Sequence, residues 1–141
     1  MTMQERNAWL YGSIAILGYG IYLAMLLTAA QQVPLHQVDY FPFMLWSIGI
    51  SAVLGIVVGI VNGAFRPKRG PMFDERDRQI SVFGEHVGQA FIVIGAIGAL
   101  ILAIIEADYF WIANLIYLSF VLAAVLSSMA RIGAYREGFQ Q

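Results

Sequence analysis

Four long runs without a charged residue divide this 141-residue sequence. Asp, Glu, Lys and Arg are absent from residues 7–38, 40–65, 86–105 and 109–130, runs of 32, 26, 20 and 22 residues. A helix needs about 20 apolar residues to cross a hydrocarbon core of roughly 30 Å, so each run is long enough to span a membrane once. The sequence therefore predicts transmembrane helices over about 8–29 (TM1), 41–63 (TM2), 86–105 (TM3) and 109–130 (TM4).

Composition places these helices in lipid rather than in water. Charged residues make up 12% of the chain and hydrophobic residues 60%, whereas a soluble domain carries roughly 25% charged residues. A barrel of strands does not fit, because barrel strands alternate polar and apolar positions and residues 92–97 are apolar throughout. We therefore predict a single all-α transmembrane domain over residues 1–141, an integral membrane four-helix bundle.

The distribution of basic residues predicts the orientation of the bundle. With four spans, the N-terminus, the 64–85 loop and the C-terminus lie on one side of the membrane. That side carries all eight basic residues: Arg6, Arg66, Lys68, Arg69, Arg76, Arg78, Arg131 and Arg136. The charged residues of the opposite connections are Asp39, Glu106 and Asp108. By the positive-inside rule we expect a multi-pass protein of the cytoplasmic (inner) membrane with both termini in the cytoplasm.

Small residues mark the expected packing faces of the helices. Ser51, Gly55, Gly59 and Gly63 recur every four residues along TM2, a row that lets another helix backbone approach closely in lipid. Packing within one bundle is one use of this row, and the seam of a homo-oligomer is the alternative. Only residues 106–108 connect TM3 to TM4, so we expect these two helices to be antiparallel neighbours.

The cytoplasmic loop holds the most distinctive polar sequence. Pro67, Gly70 and Pro71 form a short linker, and from Asp74 onward an uninterrupted helical pattern predicts that TM3 extends about three turns into the cytoplasm. The charged residues of this extension are Asp74, Glu75, Arg76, Asp77 and Arg78. Asp74 and Glu75 are both spaced to pair with Arg78. The segment is a candidate docking surface for a protein partner, and a solvated, self-neutralised helix start is the alternative.

A second polar cluster lies where TM3 enters the membrane. Glu85, His86 and Gln89 form a candidate polar inner mouth for a channel or transporter. The centres of the spans lack Asp, Glu, Lys, Arg and His, and the chain has no Cys, so we expect neither a haem, nor a metal site, nor any other cofactor. Asn62 and Asn114 lie within spans, where we expect them to form interhelical hydrogen bonds.

Residues 73–80, Phe-Asp-Glu-Arg-Asp-Arg-Gln-Ile, resemble the Asp-Glu-Arg-Asp signature of small four-span membrane proteins of unknown function, found in actinobacteria and archaea. Residues 84–89 and 106–114 resemble the actinobacterial members of that family. The resemblance covers most of the chain and implies the same four-span topology. It brings no activity with it, so it assigns no catalytic or binding residue.

These features favour a non-enzymatic membrane protein that acts as an accessory, regulatory or scaffolding component through its cytoplasmic face. The alternative is a small oligomeric channel or transporter. An enzyme acting on lipid ranks third because the sequence offers no nucleophile–base pair. We expect contact with membrane lipid and no nucleic-acid partner. The pattern also allows a cytoplasmic or membrane protein partner and a homo-oligomer.

Overall fold

The protein folds into four long α-helices. The structure is a computed structural model that describes residues 3–65 and 71–137, with side chains from residue 75 onward in the second segment. The helices are α1 (Met3–Ala29), α2 (Phe41–Ala64), α3 (Pro71–Ile104) and α4 (Tyr109–Glu137), with a short 3-10 helix at Leu35–Gln37. Neither described segment contains a strand. The predicted all-α four-helix bundle is confirmed, and each helix is long and apolar enough to cross a membrane.

Three helices run past the ends of the predicted spans. α1 begins at Met3 and α4 continues to Glu137, whereas α2 agrees with the predicted TM2 to within one residue. α3 begins at Pro71, which opens the helix instead of belonging to the linker. Proline is tolerated at this position because its missing N–H would have no intrahelical partner there. The other expected linker residues, Pro67 and Gly70, lie outside the described residues.

The helices are joined through α4 and α1. α4 packs against both α3 and α1, while α2 packs mainly against α1. α1 and α3 begin, and α2 and α4 end, at one end of the bundle, which we call the basic end. The basic residues described there are Arg6, Arg76, Arg78, Arg131 and Arg136, while Arg66, Lys68 and Arg69 lie outside the described residues.

Glycines on α3 bring it into close contact with α4. A Cβ atom on Gly88 would lie 3.0 Å from the backbone oxygen of Ala123. The side chain of Ser119 occupies the space that a Cβ on Gly95 would need. Backbones that approach this closely gain dispersion energy along the whole contact, which is the main attraction between helices in lipid.

A tight turn joins α3 to α4 at the end opposite the basic end. The N–H of Ala107 donates to the carbonyl oxygen of Leu102 at 2.9 Å, and the N–H of Glu106 donates to that of Ala103 at 3.1 Å. This pair of bonds is the Schellman motif, which satisfies the last carbonyls of a helix. Glu106 has a φ of 57°, the left-handed conformation that the motif requires and that glycine usually supplies. The expected antiparallel hairpin of TM3 and TM4 is confirmed.

Tyrosines fill the core in the half of the bundle away from the basic end. Tyr22 is fully buried, and its ring packs edge-on against that of Tyr117, with centroids 4.9 Å apart. The Tyr22 hydroxyl donates to the Asn114 side chain, and the Tyr117 hydroxyl is hydrogen-bonded to Ser47 of α2. These bonds connect α1 to α4 and α2 to α4. They also confirm the interhelical role expected of Asn114.

The small-residue row of α2 packs within the bundle, against α1. Ser51 fills the space beside Gly18, and a Cβ on Gly59 would lie 3.1 Å from the Tyr11 hydroxyl. Gly55 also lies beside the Tyr11 ring, whereas a Cβ on Gly63 would meet nothing within 4 Å. Most of the remaining α2 surface is exposed and apolar, as expected for a helix that faces lipid.

Candidate functional site

A polar cavity lies at the basic end of the bundle, where all four helices contribute to its walls. Its volume is about 250 Å³. The lining residues are Met3, Gln4, Asn7, Ala8 and Tyr11 of α1, Gly59, Asn62 and Gly63 of α2, Asp77, Ile80 and Ser81 of α3, and Arg131 and Tyr135 of α4. Among the described residues, amides, hydroxyls, one carboxylate and one guanidinium therefore meet at this end of the bundle.

Helical periodicity on α3 explains why Asp77 reaches the cavity. Ile80 is fully buried and Gly84 is buried, and the two are spaced three and seven residues after Asp77, on the same face of the helix. The Tyr135 hydroxyl of α4 donates to Asp77 Oδ1 at 2.9 Å. This bond ties the extended start of α3 to the end of α4 and fixes the carboxylate at the cavity wall.

Arg131 of α4 places a cation in the lining of the same cavity. Its side chain packs directly over Gly84, where any larger residue would collide with it. Its Nη2 lies 3.8 Å from Glu85 Oε1, a long ion pair at the solvent edge. Its Nε is buried and has no hydrogen-bond partner.

Asn7 carries the second buried atom without a partner. Among the residues whose side chains are described, the buried side-chain polar atoms that lack a hydrogen bond are Asn7 Oδ1 and Arg131 Nε. Both residues line the cavity. Leaving such an atom unpaired costs about 1–3 kcal/mol, so each residue favours a ligand that supplies the missing partner. The two residues thus bring one buried donor and one buried acceptor without a partner to the cavity wall.

Charged contacts close the helices around the cavity. Arg136 Nε donates to Glu5 Oε1 at 3.0 Å, which joins α4 to α1, and the Glu5 residue is only 8% exposed. The Arg136 guanidinium lies 5.8 Å from the centre of the Trp9 ring. Arg6 donates to Asn62 Oδ1 at 3.1 Å, which joins α1 to α2. The expected interhelical hydrogen bond of Asn62 is therefore confirmed.

The residues proposed as a polar inner mouth lie elsewhere on α3. Glu85, His86 and Gln89 are exposed, and none of them lines the cavity. Glu85 accepts a hydrogen bond from Ser81 at 3.4 Å in addition to its contact with Arg131. Whether these residues line a mouth formed by several copies of the chain stays a prediction.

The candidate docking residues divide between two faces of the α3 extension. Glu75, Arg76 and Arg78 are exposed, whereas Asp77 turns toward the cavity. Arg78 Nη2 lies 3.1 Å from Glu75 Oε1, so the expected pairing of these two residues is confirmed. The side chain of Asp74, the other expected partner of Arg78, lies outside the described residues.

The spacing of the glycines in α3, rather than its charged residues, was the sequence signal for this cavity. Gly84 and Gly88 mark the face of α3 that packs on α4, and that face carries Ser81 one turn before Gly84 and Asp77 two turns before it. Reading the glycine face backward along the helix would have identified Asp77 as the inward carboxylate. Asn7 and Tyr135 gave no comparable signal, because single polar residues near helix ends are common at membrane interfaces.

Among the described residues that line the cavity, Asp77 is the one Asp, Glu or His. Within the part of the chain that the structure describes, no three His, Asp or Glu side chains come together as a metal-binding group.

No protein-family model, curated protein or solved structure matches the chain. Its resemblance to the four-span Asp-Glu-Arg-Asp proteins accordingly stays a prediction.

Proposed function

We propose that this is a non-enzymatic integral membrane protein that acts as an accessory or scaffolding component. It presents the exposed charged face of α3 to a protein partner in the cytoplasm. The cytoplasmic location of the basic end rests on the one-sided distribution of Lys and Arg.

The two-faced start of α3 carries this proposal. α3 has 34 residues, about 51 Å of helix, which is longer than a hydrocarbon core of roughly 30 Å. Its inward face is held by the buried Ile80 and by the bond between Tyr135 and Asp77. Glu75, Arg76 and Arg78 lie on the outward side. A surface that is already ordered loses little conformational entropy when a partner binds, which favours docking.

Site-specific photo-crosslinking in cells tests the docking proposal. A photoreactive residue at Val82, exposed and one turn beyond Arg78, should give a discrete protein adduct. The double variant Arg76→Glu, Arg78→Glu should abolish that adduct, because it reverses the charge of the docking face. Glu137→Arg, a charge reversal at an exposed position on α4, should leave the adduct intact. The same photoreactive residue at Trp111, at the opposite end, should give no such adduct.

Two results would contradict the proposal. An adduct from Val82 that survives reversal of Arg76 and Arg78 would mean that the charged face does not select the partner. A reporter fused after Gln141 that proves to lie outside the cell would place the basic end on the wrong side of the membrane.

The oligomeric channel or transporter receives less support from the geometry. Tyr19, Tyr22 and Tyr117 pack against one another inside the half of the bundle away from the basic end. Glu85, His86 and Gln89 lie on the exposed surface of α3. Ion flux into liposomes that contain the purified protein tests this alternative directly.

A further inference from the structure

We infer that the bundle binds a single phospholipid, with a zwitterionic phosphoethanolamine headgroup in the cavity at the basic end and an acyl chain in a groove between α1, α2 and α4. This inference goes beyond the docking proposal, since it concerns the interior of the basic end and not the outer face of α3. It depends only on the placement of the four helices in a membrane.

The polar half of the site has the charges of a zwitterion. Among the described residues that line the cavity, Asp77 is the acidic one and Arg131 the basic one. Arg131 Nε is a buried donor without a partner, and a phosphate oxygen is the acceptor that a guanidinium binds most readily. Asn7 Oδ1 is a buried acceptor without a partner, which an ammonium N–H can satisfy.

The apolar half of the site is a groove that opens to lipid. Its volume is about 490 Å³, and its walls are almost entirely apolar. They include Ile14 of α1, Ile48 and Ala52 of α2, and Phe120 and Val121 of α4. The groove exists because α2 packs mainly on α1 and reaches α4 through the bond between Ser47 and Tyr117. An acyl chain fits this shape and this chemistry.

Tyr11 joins the two halves. It lines both the polar cavity and the apolar groove, and its hydroxyl lies beside Gly59. Ile14, one helical turn further along α1, already belongs to the groove alone. The polar cavity at the membrane surface therefore continues directly into the apolar groove along the bundle. This matches the arrangement of head and tail in a phospholipid.

The size of the cavity suits a small headgroup. At ~30 Å³ per water molecule, a volume of about 250 Å³ corresponds to roughly eight waters, comparable to a phosphoethanolamine group. A choline headgroup has the same net charge but no N–H to donate to Asn7. A phosphoglycerol headgroup can donate a hydroxyl but is negatively charged, which does not match a described lining with one acid and one base. Of these three headgroups, phosphoethanolamine is the one that meets both requirements.

Native mass spectrometry of the full-length protein in detergent tests the inference. The probes are short-chain phosphatidylethanolamine, phosphatidylcholine and phosphatidylglycerol of the same chain length, together with free phosphoethanolamine. We expect one bound phosphatidylethanolamine per chain, held about tenfold more tightly than either of the other two lipids, the difference of a single good hydrogen bond or ion pair. Free phosphoethanolamine should bind at least tenfold more weakly, since it leaves the groove unfilled.

Gly63→Leu is the variant that blocks the cavity without damaging the fold. Gly63 lines the cavity and a Cβ placed on it meets nothing within 4 Å, so the added side chain occupies the headgroup space. Gly49→Leu is the matched control on the same helix, because a Cβ there also meets nothing and Gly49 lies outside both halves of the site. We expect Gly63→Leu to lower phosphatidylethanolamine affinity about tenfold and Gly49→Leu to leave it unchanged.

Arg131→Lys and Ala52→Phe test the headgroup site and the acyl-chain groove separately. Arg131→Lys keeps the positive charge but removes the planar donor for the phosphate that all three lipids share, and should weaken free phosphoethanolamine as well as the three lipids. Ala52→Phe narrows the groove, and should weaken all three lipids equally while leaving the binding of free phosphoethanolamine unchanged. Helix content measured by circular dichroism verifies that each variant is folded.

Three outcomes would overturn the inference. Equal affinity for the three lipids would show that the cavity does not select the headgroup. Equal loss in Gly63→Leu and Gly49→Leu would place the bound lipid on the outer surface. If free phosphoethanolamine binds as tightly as phosphatidylethanolamine, the groove does not contribute to affinity by binding an acyl chain. All three outcomes leave the docking proposal untouched, because its test concerns Arg76 and Arg78.

Discussion

The two helical hairpins of this protein use small residues in opposite ways. In the α3–α4 hairpin, Gly88 and Gly95 bring one helix backbone against the other. In the α1–α2 hairpin, the row along α2 receives the large side chain of Tyr11 beside Gly55 and Gly59. The helices of the first hairpin are consequently in close contact along its length, and we call it the closed hairpin. The second, which we call the open hairpin, leaves a groove on one side of α2 and a surface that faces lipid on the other.

A row of small residues therefore specifies that another group approaches closely, but not whether that group is a helix backbone or a side chain. A glycine can accept a backbone or the ring of an aromatic residue, and the two give different stabilities. A backbone cannot move without moving the helix, whereas the end of a tyrosine side chain can rotate. We therefore expect substitutions in the two hairpins to differ in cost, and the following predictions test this expectation.

The largest effect is expected for Gly95→Leu in the α3–α4 hairpin. The Ser119 side chain fills the space that even a Cβ would need, so α3 and α4 must separate. Overpacking of this kind should lower the free energy of unfolding by about 3 kcal/mol. Denaturant titration in detergent micelles, followed by circular dichroism, measures it. Gly20→Leu, at a position where a Cβ meets nothing within 4 Å, should cost nothing, and an equal loss in both variants would contradict the close packing of α3 on α4.

Tyr117→Phe tests the attachment of α2 to the rest of the bundle. The substitution removes the hydroxyl that bonds Ser47, a residue only 8% exposed, and should cost about 1 kcal/mol. Spin labels on α2 and α4 should show a broader distance distribution. Tyr109→Phe, at a position 86% exposed, is the control and should leave both measurements unchanged. A Tyr117→Phe variant with an unaltered distance distribution would mean that other contacts hold α2.

Glu106→Gly is expected to stabilise the turn of the closed hairpin. Glu106 adopts a φ of 57°, which costs roughly 1–2 kcal/mol for a residue with a Cβ. Glycine avoids that cost but gains freedom in the unfolded chain, so the net increase in stability should be about 0.5 kcal/mol. The same denaturant titration measures it. A loss of stability would indicate that the Glu106 side chain contributes more than its backbone strain costs.

The smallest effect is expected for Gly59→Ala in the open hairpin. The added methyl would lie 3.1 Å from the Tyr11 hydroxyl, which can move away, so stability should change by less than about 0.5 kcal/mol. Gly88→Ala places its methyl at 3.0 Å from the Ala123 carbonyl oxygen, which is part of a helix backbone and cannot yield. Gly88→Ala should therefore be clearly the more destabilising of the two. Equal effects would contradict the distinction between the hairpins.

The sequence predicts the spans well because their length depends on the bilayer alone. The charge-free runs identify all four helices, and α2 agrees with its predicted span almost residue for residue. The ends of α1 and α4 could not be predicted in this way. Both helices continue past the apolar run at the basic end, where Glu5 and Arg136 pair across the two helices. That pairing joins residues 131 positions apart, and no local pattern encodes it.

The candidate site was less predictable than the fold, for a similar reason. The inward direction of Asp77 depends on the phase of α3, which packing against α4 determines. The polarity of Glu85 and His86 indicates a position near the membrane surface but not the face of the helix on which they lie. A cavity that takes residues from four helices requires the relative rotation of all four, and a single sequence does not contain that information.

α2 has consequences for how the protein responds to its surroundings. Its 24 residues make a rod about 36 Å long, a few ångströms more than a hydrocarbon core of roughly 30 Å. A helix in this situation tilts, and α2 can tilt against α1 with little disturbance to α3 and α4 because it packs mainly on α1. The width of the apolar groove beside Phe120 should therefore change when the thickness of the bilayer changes.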